Sequence, residues 1–250
     1  AITTQLNVSN MRREKNPPTL RRARIESVEE RIVFANEILG DFNLTDLHQE
    51  IAHDPAQQTQ TLGEAHDQTG ASFVQNQFGF MGTGQTVAVI DSGIAYDHVA
   101  LGEGFGEGYR VVGGWDFTEE NDGNPYDDGP SGYHGTHVAG IIGSDDPDNR
   151  GVASQVDLVA LRVFNDQGTG QFGWIEDALQ WVHENKDNFE NPITTVNLSI
   201  GTNWNDDELP VWATLEDEFQ QLYQDGIFVA VSAGNSFGKF QDVGLSYPAV

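Results

Sequence analysis

Thr86-Val87-Ala88-Val89-Ile90-Asp91-Ser92-Gly93 is an apolar, β-rich run that stops at a carboxylate and a glycine turn. A continuous run of this kind reads as a strand buried on both faces. Three more follow, over 157–163, 194–198 and 227–231. Helical patterns lie between them. Phe172, Ile175, Leu179 and Val182 share one apolar face, and Val211, Leu215, Phe219 and Leu222 another, closed by Gly226. Strands alternating with helices predict an α/β fold with a parallel sheet and helices on its faces. Ligands bind such sheets at the carboxyl ends of the strands. Asp91, the loop at Gly168 and Asn235 each fall just after a predicted strand end.

The residues at those ends carry chemistry. A carboxylate closing an apolar strand is withdrawn from water and needs a hydrogen-bonding partner. Asp91 is suited to accept the Nδ1–H of a histidine, or to cap the turn at Ser92-Gly93. His134-Gly135-Thr136-His137-Val138-Ala139-Gly140 begins 43 residues later. Its small residues at 135, 139 and 140 let a helix start pack against a sheet, which puts His134 at the mouth of a site as general base and then general acid. His137, one turn on, reads as a buried, hydrogen-bonded structural residue; a zinc pair has weak support, since no His-Glu-x-x-His pattern is present. In Ser232-Ala233-Gly234-Asn235 the Asn235 amide is either an oxyanion donor or part of a turn.

These three blocks, in this order, resemble the subtilisin-like serine peptidases, the subtilases. The similarity runs over 72–250, and His-Gly-Thr-His-Val-Ala-Gly is its most specific piece. It implies a three-layer subtilisin-like fold with a mainly parallel central sheet, incomplete at its C-terminus. It also implies a serine endopeptidase in which Asp91 orients His134 and Asn235 holds the oxyanion. Leu161-Arg162-Val163-Phe164 and Gly168-Thr169-Gly170-Gln171-Phe172 resemble the strand that pairs with extended substrate, its glycines admitting a peptide backbone. Phe164, Phe172 and Ile175 then line an apolar subsite, or are simply core. Ser199, Ile200 and Gly201 resemble the opposite wall. Ser232, Ala233 and Gly234 complete the specificity pocket with Ser246-Tyr247-Pro248, where Ser246 is expected to narrow it. The absence of acidic residues at Ser232 and Ser236 argues against strong selection for basic side chains.

The chain departs from the family pattern in two places. The family's Gly-Thr-Ser-Met-Ala block around the nucleophile is absent before Val250, so the serine is expected beyond the chain end. The 250-residue piece is accordingly expected to be inactive, and aggregation-prone through its exposed sheet. The chemistry requires no cofactor. A family calcium position is occupied by Ala100, and the loop 145–149 differs in length. The loop Glu119-Glu120-Asn121-Asp122-Gly123-Asn124-Pro125-Tyr126-Asp127-Asp128 either supplies oxygens to a structural Ca²⁺ or is a solvated acidic loop.

Composition narrows the partners. Twelve basic against 39 acidic residues give a net charge of −27. Such a chain repels phosphate backbones, which argues against nucleic acid and leaves polypeptides as the expected substrates. Cysteine is absent, excluding disulfide and thiolate chemistry. No apolar run approaches a membrane span or a signal peptide. An extracellular or cell-surface location is expected. Residues 1–70 read as an N-terminal extension, and 71–250 as the peptidase domain. The extension contains basic clusters, a helical pattern over 27–39 and a Gln/Thr/His-rich linker over 52–70. Its Glu/Arg-then-apolar box over 24–35 resembles one that opens exported bacterial proteins, and equally suits an ordinary amphipathic helix. Export signal, pro-segment and spacer remain open for it, as does a start at Met11. The competing function is a non-catalytic subtilase-like binding or adhesion module.

Overall fold

The computed structural model describes residues 42–43, 62–129, 133–235 and 237–250. In chain order the strands are β1 (Phe42–Asn43), β2 (Thr86–Asp91), β3 (Val111–Asp116), β4 (Asp157–Arg162), β5 (Thr169–Gly170), β6 (Ile193–Leu198) and β7 (Phe228–Val231). The helices are α1 (Leu62–Thr69), α2 (Ala71–Phe78), α3 (His134–Gly143), α4 (Phe172–Asn185), α5 (Glu216–Gln224) and the single turn α6 (Phe237–Phe240). Five strands form one sheet in the order β3-β4-β2-β6-β7, every neighbouring pair parallel. β1 and β5 form a separate antiparallel pair.

β2 shows why the run at 86–91 specifies a central strand. All six residues are buried. Ala88 and Ile90 join a core with Ile175, Ala178, Leu179 and Val182 of α4 and Leu222 of α5. Val87 and Val89 join a second core with Ala139 of α3, Val111, Leu158 and Ala160. Successive side chains of one strand thus enter two cores, giving helix, sheet and helix in three layers. Each fully buried large apolar side chain contributes about 1.5–3 kcal/mol through removal from water. Ile90, Leu158, Leu161, Ile175 and Leu198 are all in that state.

Several elements differ from the sequence reading. β3 is a strand the hydropathy pattern hides, because Gly113-Gly114 interrupts its apolar run. Residues 62–69 form a helix where a linker was expected; α1 packs against α2 across a left-handed turn at Gly70. The last long helix starts at Glu216, so Val211 is not on its face and is fully exposed. Its start is set by Tyr247, whose buried hydroxyl accepts the N–H groups of Thr214 and Leu215 at 2.8 and 2.9 Å. The helical pattern over 27–39 and the box over 24–35 lie outside the described residues. No described helix is long and apolar enough to cross a membrane.

Candidate active site

Because the five strands run parallel, their carboxyl ends share one edge of the sheet. Asp91 ends β2 at its centre. Ser199, Ile200 and Gly201 follow β6, and Ser232 to Asn235 follow β7. Arg162, paired with Asp91 across the ladder, ends β4 and leads to the Gly168 loop. Residues separated by more than 140 positions in sequence therefore meet along one line.

His134 is the first residue of α3. Its Nδ1 lies 2.7 Å from Oδ1 of Asp91, which is fully buried, while the His134 side chain keeps 17% exposure. Asp91 Oδ1 also accepts the Ser92 N–H at 2.8 Å. The contact fixes the orientation of the ring. Burial pushes the His134 pKa down, but the hydrogen bond and charge of Asp91, with the charge of Asp127, outweigh it and raise the pKa. Gly135 permits the approach of α3 to β2. A Cβ there would run into the Gly93 carbonyl and come within 3.1 Å of Asp91 Cβ.

The wall at Ser199 to Gly201 and the segment from Ser232 are joined directly. The Ser232 hydroxyl donates to the Ile200 carbonyl at 3.0 Å, and its N–H to the Leu198 carbonyl at 3.2 Å. Ser199 Oγ accepts from the Asn197 amide at 2.9 Å. Ala233, Gly234 and Asn235 are exposed at the strand end. Ala233 and Gly234 line a cavity of about 150 Å³ with Trp204, Asn205, Asp242 and Ser246. Ser246 fills its inner side. A Cβ at Gly201 would lie 2.5 Å from Ser246 Oγ, and one at Gly234 2.6 Å from Ser246 Cβ. The Ser246 hydroxyl is anchored on the Thr202 carbonyl at 2.7 Å.

On the wall formed by residues 161–172, Phe164, Phe172 and Ile175 are at most 4% exposed and belong to the core beneath the sheet, as does Ile200 of the opposite wall. Gly168 and Gly170 are buried and Thr169 half-buried. β5 is bracketed on one side by a bridge between Gly170 and Phe164. Its other side carries β1, with Phe42 opposite Gly170 and Asn43 opposite Thr169. The edge that the sequence reading assigns to substrate thus holds a strand of the chain's own N-terminal region.

Residues 82–250 match the Subtilase family. The chain belongs to the subtilases. It is 33% identical to Subtilisin E of Bacillus subtilis (strain 168) over 202 residues, covering 80% of this chain and 46% of that protein. It is 32% identical to an intracellular serine protease of Paenibacillus polymyxa over 170 residues, 67% of this chain and 47% of the relative. The crystal structure of a cold-adapted subtilisin-like serine proteinase aligns at 30% identity with a TM-score of 0.47, covering 62% of this chain and 48% of that one. The chain spans about half the length of the curated relatives it matches. Subtilases are serine peptidases, and their Asp-then-His motif order is the order seen here.

Two residues of this subtilase site take places that the sequence reading did not give them, and one was misplaced. Asp127, 2% exposed, accepts from the Thr136 N–H and hydroxyl at 3.1 and 2.6 Å. Burial raises its pKa against those hydrogen bonds. Arg162, 3% exposed, donates to the Phe164 and Tyr126 carbonyls and pairs with Asp116, Asp128 and Asp166. The only signal for either was a charge inside an apolar or acidic stretch. His137, expected to be buried, is exposed on the outer face of α3. In the acidic loop, Asn121 Oδ1 accepts from Trp115, Asp122 Oδ1 from the Asn124 N–H, and Asn124 Oδ1 from Tyr96. These oxygens face separate protein donors. Among the described residues, no group of three or more carboxylates or imidazoles converges as a metal site.

Proposed function

We propose that this subtilase hydrolyses peptide bonds in extended polypeptides, with the nucleophilic serine contributed from beyond Val250. The observation that carries the reading is the 2.7 Å contact between His134 and a wholly buried Asp91 at a strand's carboxyl end. His134 Nε2 takes the serine proton as the hydroxyl attacks the carbonyl, then gives it to the leaving amine. Asp91 stabilises the imidazolium, and Asn235 with a backbone N–H holds the oxyanion. Water then releases the acyl group. No cofactor enters this scheme, and an exported, extracellular enzyme fits the acidic composition.

Ser246 lies against Gly201 and Gly234 and lines the cavity at Ala233, which favours small side chains at the residue preceding the cut. The β1 strand supports a pro-segment role for residues 1–70, since it occupies the edge where an extended substrate would add. The binding-module reading is disfavoured by the intact Asp91–His134 geometry, which adhesion does not require.

The test is peptide-library hydrolysis by the full-length gene product. Cleavage after small residues is expected, broadened by Ser246→Gly. His134→Ala is expected to lower kcat by about 10⁶, the loss seen when the base of a subtilisin relative is removed. The 250-residue chain itself is expected to show none. Undiminished hydrolysis by His134→Ala would sink the mechanism.

A further inference from the structure

The chemistry assigned to His134 demands that α3 begin at one fixed place relative to β2. The observations around its first turn are specific. Tyr133, the residue immediately before His134, has φ +78 and ψ −13, a left-handed conformation that side-chain-bearing residues rarely adopt. Tyr133 is 71% exposed, so side-chain packing does not hold it there. The N–H groups of the first helical turn have no partners within a helix. Here the second and third residues of the helix find partners on other segments. Gly135 N–H donates to Ser92 Oγ at 2.9 Å, and Thr136 N–H to Asp127 Oδ2. The Thr136 hydroxyl donates to Asp127 and accepts from the Ala95 N–H at 2.8 Å. Ser92 is 4% exposed.

We propose that Asp127 and Ser92 form a clamp that locks the first turn of α3 to the end of β2, making both positioning residues for His134. This rests on the reading of His134 as the general base. Ser92 belongs to the same chain turn as Asp91, and its hydroxyl joins that turn to Gly135. Asp127 is a helix-capping carboxylate placed seven residues ahead of the histidine, and its negative charge faces the positive end of α3. It holds the Thr136 N–H and hydroxyl together, two residues beyond His134. Loss of either clamp member frees the first turn of α3 to shift, and the His134 ring then swings relative to Asp91. Asp91 from β2 and Asp127 from the loop before α3 both act as charges on His134. The clamp therefore also sets part of the field at the imidazole.

The test is proton NMR of the whole 250-residue chain, reading the low-field Nδ1–H resonance and the imidazole titration of His134, assigned by their loss in His134→Gln. Asp127→Asn keeps an acceptor for Thr136 but removes the charge. It is expected to retain the low-field resonance and to lower the midpoint by about 0.5–1 unit. Asp127→Ala removes the acceptor as well, and is expected to lower the midpoint and to lose or broaden the resonance. Ser92→Ala, a milder change that leaves the Asp127 charge in place, is expected to broaden the resonance with a smaller shift in midpoint. A merely structural residue would lower the melting temperature and leave the resonance and midpoint of the folded protein where they were. That outcome in both Asp127→Ala and Ser92→Ala overturns the proposal. The readout is the imidazole itself, so failure of the full-length protein to cleave peptides would count against the peptidase reading and not against the clamp.

Discussion

Asp91, Asp127 and Glu218 are all buried acids, and their surroundings give them different roles. Asp91 faces a histidine, and Asp127 faces the first turn of a helix. Glu218 lies on α5 against α4, 7% exposed, with Gln180 Nε2 3.3 Å from its Oε1. Its Oε2 has no hydrogen-bond partner among the described residues. Burial, then the charges of Asp217 and Glu176, push its pKa up to about 7 from an ordinary 4.5. Between those two values the folded state keeps a proton that the unfolded chain releases. Stability therefore falls as pH rises through that window, and the loss is complete above pH 7. Glu218→Gln is expected to be more stable than the parent at pH 8 by about 1–3 kcal/mol, the equivalent of one to two pKa units. The gap should shrink toward pH 4.5. Urea unfolding at pH 5 and pH 8 measures it, and an equal difference at both pH values contradicts the assignment. Glu218 gave no warning in the sequence, since an acid on a polar helix reads as solvated until a second helix covers it. Asp91 did, because no apolar strand ends in a carboxylate without a use for it.

Among the elements, the buried strands were the most legible. β2, β4, β6 and β7 fall within one residue of the positions their apolar runs predict, at both ends. β3 was hidden by its glycines, and the start of α5 by Tyr247, a residue some thirty positions away. The pairing of β1 with β5 has no signal in either two-residue segment, because it depends on where the N-terminal region returns to the domain. That pairing carries a prediction of its own. If β1 shields the substrate edge, replacing both Phe42 and Asn43 by proline removes their ladder N–H groups and releases it. The full chain so altered is expected to bind an extended fluorescent peptide at least about tenfold more tightly, on the order of 1.4 kcal/mol. Fluorescence anisotropy reads the change. Equal affinities would remove the pro-segment role from β1.

Across the whole molecule, charge and sheet edge oppose each other. β7 pairs with β6 on one side, and among the described residues nothing pairs on the other. Phe228 at its start is 67% exposed. An unpaired edge with an exposed aromatic invites a second strand. A net charge of −27 keeps copies apart, but only over a screening length of about 10 Å at 0.1 M salt. Sedimentation of the 250-residue chain is therefore expected to show self-association that grows with added salt. Phe228→Lys, which places a charge on the edge, is expected to reduce it. A monomer at every salt concentration would show that this edge is not a contact surface.

The chain position and type of four buried strands, the parallel sheet and the placing of Asp91 at a strand's carboxyl end all followed from local pattern. Burial on both faces forces a continuous apolar run, and a carboxylate or imidazole at its end is conspicuous. The clamp at Asp127, the charge cluster at Arg162, the filling of the pocket by Ser246 and the occupation of β5 by β1 did not. Each depends on which distant segments meet at the carboxyl edge of the sheet. A polar side chain reads the same in sequence whether it faces water, a helix terminus or another charge, and chain packing alone assigns it one of the three.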